Sequence, residues 1–446
     1  MNTPIADFVR RYAASGISRL HMPGHKGRSF LGCEPLDITE IAGADALYEA
    51  DGIIAESERN ASVLFGSART VYSTEGSSQC IRAMLRLCLS GRVSGDGRPV
   101  IVAARNVHKA FITACALLDI DVCWLWPEGE RASLCACPVS AQTLARTLDA
   151  LSAPPAAVYI TSPDYLGNEA ELAALAAVCH ARGIPLAVDN AHGAYLHFLS
   201  PSRHPLDLGA DLCCDSAHKT LPVLTGGAYL HIARRAPAYM AENAKQAMAL
   251  FGSTSPSYLT LVSLDLCNAT LAEDYAARLE QTVGRLARLR RELSSLGWQT
   301  LPSDPLKVTI DAASGGLTGA QLAERLRARG VECEYADERC LVLMVTPENA
   351  ESDLARISSA CGQANRPMVC FPFPTVRAPR ACSIREAMLA PQELVPAARS
   401  IGRICGAPTV ACPPAIPVAV SGEVITEEAV EVFARCGVTS VSVVCR

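Results

Sequence analysis

The sequence predicts an α/β fold, with a mostly parallel seven-stranded sheet in a large domain and a smaller α+β domain towards the C-terminus. Between residues 56 and 270, short β-rich runs alternate with longer helical segments. Strands that are separated by helices of this length form parallel sheets covered on both faces. The chain has 446 residues, half of them hydrophobic, which is enough for two or three domains with a large core.

An N-terminal arm, residues 1–55, precedes the predicted large domain, residues 56–270. The arm begins with an amphipathic helix, Pro4–Ala13, and continues in polar segments that are interrupted by glycine and proline. The strands of the large domain are expected at Thr70–Ser73, Val100–Ala103, Val122–Leu125, Ala157–Ile160, Leu186–Val188, Leu212–Cys214 and Ala228–Leu230. Its helices are expected at Ala55–Leu64, Ser78–Cys88, Ala110–Leu117, Ala141–Leu151 and Glu169–Arg182.

The smaller α+β domain is predicted over residues 271–365. Leucine and valine at helical spacing predict its first helix, Tyr275–Leu296, which ends before Gly297. Further elements are expected at Lys307–Ile310 (strand), Gly319–Arg329 (helix), Glu332–Tyr335 and Cys340–Met344 (strands) and Asn349–Ala360 (helix). A proline-richer C-terminal part, residues 366–446, ends in a predicted helix, Thr426–Cys436, and strand, Ser440–Val444.

Composition narrows the class of protein. The net charge is -5 and there is no basic block, which argues against nucleic acid as a partner. No run of 18 apolar residues predicts a membrane span, and the N-terminus lacks a signal pattern. The 20 cysteines are scattered without a C-x-x-C pair, so they are interpreted as small buried residues in a reducing cytoplasm, and no metal site is expected.

Polar residues follow five of the predicted strands. Ligands of open parallel sheets bind at the carboxyl ends of the strands, so these clusters are expected along one edge. They are Thr74–Ser78, Arg105–Lys109, Thr161–Tyr165, Asp189–His192 and Asp215–Lys219. Their convergence on one edge is a stronger indication of a site than any single motif.

Lysine is scarce in this chain, since arginine makes up 35 of the 40 basic residues. One of the few lysines, Lys219, lies at a predicted strand end beside His218 and Ser216. A lysine held there suits a Schiff base with an aldehyde cofactor, although a solvated loop lysine is the plain alternative. Asp189 follows the preceding strand and suits the nitrogen of a pyridine ring, although strand-end aspartates are also common caps.

A third cluster completes the layout that pyridoxal phosphate needs. Gly76, Ser77 and Ser78 open a helix and suit a phosphate, although Gly-Ser turns are also ordinary helix caps. His108 follows another strand, where it suits stacking on the ring or is simply a loop histidine. Together these residues predict pyridoxal 5'-phosphate as the cofactor.

The chain resembles the ornithine/lysine/arginine decarboxylase family of fold-type I pyridoxal phosphate enzymes, in a short form without an N-terminal wing domain. The resemblance spans nearly the whole chain. It rests on HMPGHKG (21–27), DITEIAGADALYEADGII (37–54), STEGSS (73–78), RNVHKAF (105–111), ITSPDYLG (160–167), VDNAHGAYLHF (188–198), SAHKTLP (216–222), STSPSY (253–258) and CPPAIPVAVSGE (412–423).

The resemblance implies a role for each matching residue. Lys219 is similar to the Schiff-base lysine, His108 to the residue stacked on the ring and Asp189 to the partner of the ring nitrogen. Further cofactor contacts are implied at Ser77, Ser78, Ser216 and His218, and at Ala191 with His192 against the other ring face. Thr254 and Ser255 match a stretch that in the family reaches the cofactor phosphate of the neighbouring subunit, which implies at least a homodimer.

Four positions depart from the family pattern. Asn190 stands where the family usually has glutamate, and Cys80 stands where it usually has glycine. The family's Pro-Thr-Tyr-Tyr appears as Pro163-Asp164-Tyr165-Leu166. None of these removes a cofactor contact, but Asp164 adds a charge near the expected substrate.

The reaction implied is α-decarboxylation of a basic amino acid to an amine and carbon dioxide, as in polyamine synthesis. Arginine is favoured over lysine or ornithine, and Asp164 and Glu423 are the candidate partners of the substrate's cationic group. Lys219 or His218 is the candidate proton donor to Cα. The alternatives are another lyase or an aminotransferase on the same fold, or a catalytically idle relative that regulates a decarboxylase.

Overall fold

The computed structural model describes residues 1–90, 97–131, 133–408 and 416–445. The strands are β1 Arg69–Ser73, β2 Val100–Ala104, β3 Asp121–Leu125, β4 Ala157–Thr161, β5 Leu186–Asp189, β6 Leu212–Asp215, β7 Ala228–Ile232, β8 Gln299–Leu301, β9 Lys307–Asp311, β10 Tyr335–Ala336, β11 Cys340–Met344, β12 Gln392–Pro396 and β13 Ser440–Val444.

The helices are α1 Pro4–Ala14, α2 Ile53–Leu64, α3 Ser77–Leu89, α4 Lys109–Leu118, α5 Ala141–Asp149, α6 Leu172–His180, α7 Ala217–Thr220, α8 Ala238–Glu242, α9 Ala244–Ala249, α10 Tyr258–Glu273, α11 Tyr275–Ser295, α12 Gly319–Arg327, α13 Glu351–Cys361, α14 Ile384–Leu389 and α15 Glu427–Arg435. Short 3-10 turns occur at Glu34–Leu36, Ala194–Phe198, Ala312–Gly315 and Ala397–Arg399.

The first compact unit comprises Met1–Arg92 and Pro185–Leu279. Its part of the large sheet has the strand order β1-β7-β6-β5. β5 and β6 run parallel, whereas β7 is antiparallel to both β1 and β6. Helices α1, α2 and α10 pack on one another, and the ring of Phe65 lies 5.5 Å from that of Tyr229 in the core.

The second compact unit comprises Val93–Ile184 and Glu280–Arg446. Its part of the large sheet has the order β4-β2-β3, and all of these strands run parallel. A four-stranded antiparallel sheet, β10-β11-β9-β8, and a two-stranded one, β12-β13, follow. Phe373, Val432, Phe433 and Val443 belong to a buried cluster that joins β13 to α15.

The predicted fold class is confirmed: seven strands form a mostly parallel sheet, and a smaller α+β part follows. Each predicted strand of this sheet is present and is one or two residues longer than expected. Among the described residues, no helix has both the length and the apolar character of a membrane span. The cysteines in these residues carry thiols, and most are buried.

One element prediction was wrong, and α10 is the longest of the described elements that were not predicted. The strand expected at Glu332–Tyr335 is reduced to the two residues of β10, because only Tyr335 and Ala336 pair with β11, while the side chain of Glu332 binds Arg327. Helix α10 was not predicted, because its own apolar residues lie on all sides of the helix and do not form one stripe. Residues 412–415 of the C-terminal motif lie outside the described residues, and the four-part domain division stays a prediction.

Candidate active site

The turn between β1 and α3 forms one wall of the candidate site. Gly76 precedes the first helical residue, Ser77, and has φ 73° and ψ 177°, a conformation that essentially only glycine adopts. Its amide donates to the carbonyl of Gly226 at 2.7 Å. The amides of a helix start point outwards and attract anions, and the hydroxyls of Ser77 and Ser78 stand beside them. This turn therefore suits a phosphate group.

The segment after β6 carries the candidate lysine. Asp215 ends the strand, and Ser216 leads into the short helix α7, in which the Lys219 amide donates to the Ser216 carbonyl at 3.0 Å. The Ser216 hydroxyl donates to Ser77 Oγ at 2.7 Å, which joins this segment to the α3 turn. Lys219 Nζ lies 3.1 Å from His192 Nε2. The predicted lysine thus lies at a strand end, but inside a turn of helix.

His218 is held by the backbone that follows it. Its Nδ1 lies 3.1 Å from the carbonyl oxygen of Gly227, so Nδ1 carries the hydrogen and donates. Burial lowers the pKa of His218, and the neutral ring then offers Nε2 as an acceptor.

Asp189 is the last residue of β5 and is 2% exposed. Its Oδ1 accepts hydrogen bonds from the amide of Ala191 at 3.3 Å and from the thiol of Cys214 at 3.6 Å. Cys214 is also its register partner on the parallel strand β6. The carboxylate and Lys219 therefore follow adjacent strands of the sheet, as the sequence predicted.

Thr254 and Ser255 lie in an exposed loop before α10. In this loop the Ser255 amide donates to Ser253 Oγ at 3.1 Å. The Ser253 amide donates to the carboxylate of Glu75, which directly precedes Gly76. The loop therefore contacts the approach to the α3 turn within one chain, and its expected contact with a neighbouring subunit stays a prediction.

His108, Asp164 and Glu423 belong to the second compact unit. His108 caps α4, where its Nδ1 accepts from the amide of Ala110 at 3.1 Å. Asp164 is buried and accepts from the amides of Leu166 at 2.9 Å and Asn168 at 3.0 Å. Burial raises the pKa of Asp164 to about 6.

Glu423 is buried in an ion pair that the sequence did not indicate. Its Oε2 accepts from Arg105 Nη2 and from the Val420 amide, both at 2.8 Å. The Arg105 guanidinium lies 4.8 Å from the Trp124 ring centroid and 5.3 Å from that of Trp126. Glu423 and Asp164 therefore already have partners inside the chain, and their roles towards a substrate stay predictions.

Sequence reasoning gave no role to Asp215, His204 and His231, which are fully buried in the first unit. Both imidazoles bind the Asp215 carboxylate. The sequence signal for this cluster was an acid at the end of the apolar strand β6. The two histidines lie 11 and 16 residues from that acid in the chain, so no local motif links them to it.

The residues of the first unit fit pyridoxal phosphate. The α3 turn offers amides and hydroxyls to a phosphate, and the buried carboxylate of Asp189 suits a protonated pyridine nitrogen. Lys219 offers an amine that is only half buried and is beside a second basic group, His192.

Comparisons with known proteins show which family the chain belongs to. Residues 3–309 match the family model described as "Orn/Lys/Arg decarboxylase, major domain". The "Uncharacterized protein YaaO" of Bacillus subtilis is 30% identical over 98% of this chain and 94% of its own length. An arginine decarboxylase of the same organism is 28% identical over 96% of this chain and 92% of its own length.

A solved lysine decarboxylase of Francisella novicida shares the fold, with a TM-score of 0.80 at 16% identity, over 99% of this chain and 81% of that chain. The family match covers more than half of the chain and includes the residues of the α3 turn, Asp189 and Lys219. The chain therefore belongs to the Orn/Lys/Arg decarboxylase family, and it is a pyridoxal phosphate-dependent carbon–carbon lyase.

Proposed function

We propose that this protein removes the α-carboxylate of arginine and thereby forms agmatine, a precursor of polyamines. The reaction class is that of its family. The arrangement that carries it is Lys219 Nζ at 3.1 Å from His192 Nε2, with Lys219 in the helical turn after β6, the strand adjacent to β5, which ends in Asp189. Arginine is favoured as the substrate because a relative described as an arginine decarboxylase is 28% identical over 96% of this chain.

Each residue of the site is proposed to act through a stated atom. Bound pyridoxal phosphate supplies an electron sink for the electron pair that the departing carbon dioxide leaves behind. Lys219 Nζ would hold the cofactor through its aldehyde carbon, and Asp189 would keep a proton on the pyridine nitrogen. Ser77, Ser78 and Ser216 would bind the phosphate, and Ala191 would contact the ring.

The proton that replaces the carboxylate is proposed to come from Lys219 Nζ or from His218. His192 Nε2 accepts from the lysine amine and so holds that amine at one position. The neutral His218 ring, fixed through Nδ1, presents Nε2 for proton exchange.

The substrate's guanidinium requires a carboxylate, and Asp164 and Glu423 remain the proposed partners. Each of them would have to give up a contact inside the chain. Glu423 would release Arg105, and Asp164 would release amides of its own loop. Sites that are shared between two subunits, through Thr254 and Ser255, are proposed as well, and the protein is proposed to act in the cytoplasm.

The test is amine formation by purified protein with pyridoxal phosphate, measured by mass spectrometry. Arginine, lysine and ornithine are offered separately, and agmatine is the expected product. Cadaverine or putrescine instead would contradict the arginine assignment and keep the reaction class. No amine from any of the three would contradict the decarboxylase role, and turnover only with an added keto acid would indicate an aminotransferase.

A further inference from the structure

A buried hydrogen-bonded cluster lies behind the candidate site and is used by none of the roles above. Asp215 Oδ2 lies 3.1 Å from His204 Nε2 and 3.2 Å from His231 Nε2, while Oδ1 accepts from Asn190 Nδ2 at 2.7 Å. All four side chains belong to residues that are 0% exposed. Buried polar networks of this kind are stable only when their donors and acceptors match.

The hydrogen positions of His204 follow from its neighbours. The amide of Leu206 donates to His204 Nδ1 at 3.4 Å, so Nδ1 has no hydrogen. Nε2 then carries the only hydrogen of the neutral ring and donates it to Asp215. His204 is therefore a neutral donor.

His231 is assigned in the same way. Burial lowers its pKa, which favours the neutral ring. Its Nε2 donates to Asp215, and its Nδ1 accepts from the Thr70 hydroxyl at 2.8 Å. The Ser67 hydroxyl in turn donates to Thr70 at 2.8 Å.

The cluster therefore carries one negative charge, on Asp215, and three N–H donors surround it. Burial by itself raises the pKa of this carboxyl, but the hydrogen bonds that His204 and His231 donate to the carboxylate outweigh burial and hold the pKa well below its usual range. A carboxylate at position 190 would face the Asp215 carboxylate at the same short distance without a hydrogen to share. This explains why position 190 holds an amide.

The two ends of this contact belong to the two segments that carry the candidate chemistry. Asn190 directly follows Asp189, and its amide donates to the Cys214 carbonyl at 3.0 Å. Asp215 directly precedes Ser216, which binds Ser77 and begins the turn that holds Lys219. Two hydrogen bonds, one from the side chain and one from the backbone of Asn190, thus tie the end of β5 to the end of β6.

We propose that Asp215 is a positioning residue, which acts through Asn190 on the cofactor carboxylate Asp189 and through Ser216 on Lys219. Positions 190 and 215 must hold one carboxylate and one amide between them. His204 and His231 donate the hydrogen bonds that stabilise the buried charge of the carboxylate. This inference rests on the proposed roles of Asp189 and Lys219.

The test is a charge-exchange cycle with three variants: Asn190→Asp, Asp215→Asn and the double exchange. Asn190→Asp places two carboxylates together, and Asp215→Asn removes the buried charge that accepts hydrogen bonds from Asn190, His204 and His231. Each single variant is expected to weaken pyridoxal phosphate binding at least roughly tenfold and to change the absorbance spectrum of the bound cofactor. The double variant restores one carboxylate and one amide and is expected to recover most of both properties.

Binding is measured by titration of the apoprotein with the cofactor, which requires no decarboxylation and so stands apart from the choice of substrate. Glu58→Gln is the matched control, because it removes another buried carboxylate, the partner of Lys245. It is expected to lower the melting temperature and to leave cofactor affinity unchanged.

Additive losses in the double variant would overturn the proposal, as would single variants that lower only the melting temperature. His204, Asp215 and His231 are also close enough together to hold a metal ion. One equivalent of tightly bound metal in purified protein, lost in Asp215→Asn, would likewise overturn it.

Discussion

At the scale of single residues, Lys219 carries the most specific prediction. Lys219→Ala should abolish the absorbance of covalently bound cofactor and lower amine formation by at least roughly 10²-fold, because the chain then lacks the amine that holds the aldehyde. Lys26→Ala, at an exposed lysine of the arm, is the matched control. An unchanged spectrum in Lys219→Ala would assign the covalent link to another residue.

The sequence anticipated residues whose role follows from their place at a strand end. Asp189, Lys219 and Ser77 are of this kind, and the register of β5 and β6 confirms that the first two follow adjacent strands. It did not anticipate Asp215 with His204, because only tertiary packing brings a residue of an irregular loop against the end of β6. Packing also supplied the partner of Glu423, Arg105, which is 318 residues away in the chain.

At the scale of elements, the start of α3 depends on Gly76. Its φ of 73° and ψ of 177° strain any other residue, so Gly76→Ala should cost about 1–3 kcal/mol and shift the turn that offers its amides to the phosphate. Space is not the reason, because an added Cβ would meet nothing within 4 Å.

The measurement for Gly76→Ala is cofactor affinity together with melting temperature. Gly66→Ala is the control, since Gly66 also has a positive φ, 62°, and open space around it, but follows α2 away from the α3 turn. Both variants should be less stable, and only Gly76→Ala should bind the cofactor more weakly. Equal affinity in the two variants would contradict a phosphate role for the turn.

The loop after β4 gives a prediction about pH. Burial raises the pKa of Asp164 from 3.8 to about 6, so the folded state binds this proton more tightly than the unfolded chain does. The contribution of Asp164 to stability is therefore fully present below about pH 4 and is lost as the pH rises to about 6. The shift corresponds to about 3 kcal/mol.

Urea unfolding of the wild type and of Asp164→Asn at pH 4, 5, 6 and 7 measures this effect. The wild type should lose stability relative to the variant across that range, because asparagine does not titrate. Glu130→Gln, at an exposed position, should show the same pH dependence as the wild type. A parallel response of wild type and Asp164→Asn would show that this carboxyl is not responsible.

Element bounds could be predicted where the hydrophobic period was clear. The strands of the large sheet were found because each is a short apolar run between turns, as in β6. α10 was missed because its buried face mixes polar with apolar residues, Asp265 and Asn268 beside Leu261 and Leu264, while apolar residues such as Leu266 also lie on its half-buried face. A periodic apolar pattern therefore fails for a helix whose buried face carries polar residues.

At the scale of the whole molecule, the alternation of strands and helices was sufficient to predict a mostly parallel sheet. It did not predict the direction of β7, which runs antiparallel to β1 and β6. The chain reaches β7 from β6 through α7 and a glycine turn, Gly226-Gly227, which is too short for a parallel crossover. The carbonyls of the same turn accept hydrogen bonds from the amides of Gly76 and His218. The turn that reverses the chain therefore also holds two residues of the candidate site in place.

In a homodimer, the loop that carries Thr254 and Ser255 completes either the site of its own chain or that of the partner. The resemblance implies that Thr254 and Ser255 serve the cofactor of a neighbouring subunit, whereas the contact of Ser253 with Glu75 keeps the same loop beside the α3 turn of its own chain. Two defective variants distinguish these arrangements: Lys219→Ala, and the double change Thr254→Ala with Ser255→Ala. They are co-expressed with different tags, so that dimers with one subunit of each kind can be purified.

If the loop serves the partner, a mixed dimer has one site with both defects and one site with neither. Random pairing makes half of the dimers mixed, so ~25% of all sites should be intact. If the loop serves its own chain, each site of a mixed dimer keeps one defect, and activity should stay at the level of the separate variants. Purified mixed dimers, assayed at limiting cofactor, therefore report directly on the subunit that supplies Thr254 and Ser255, and recovery of amine formation is the expected result.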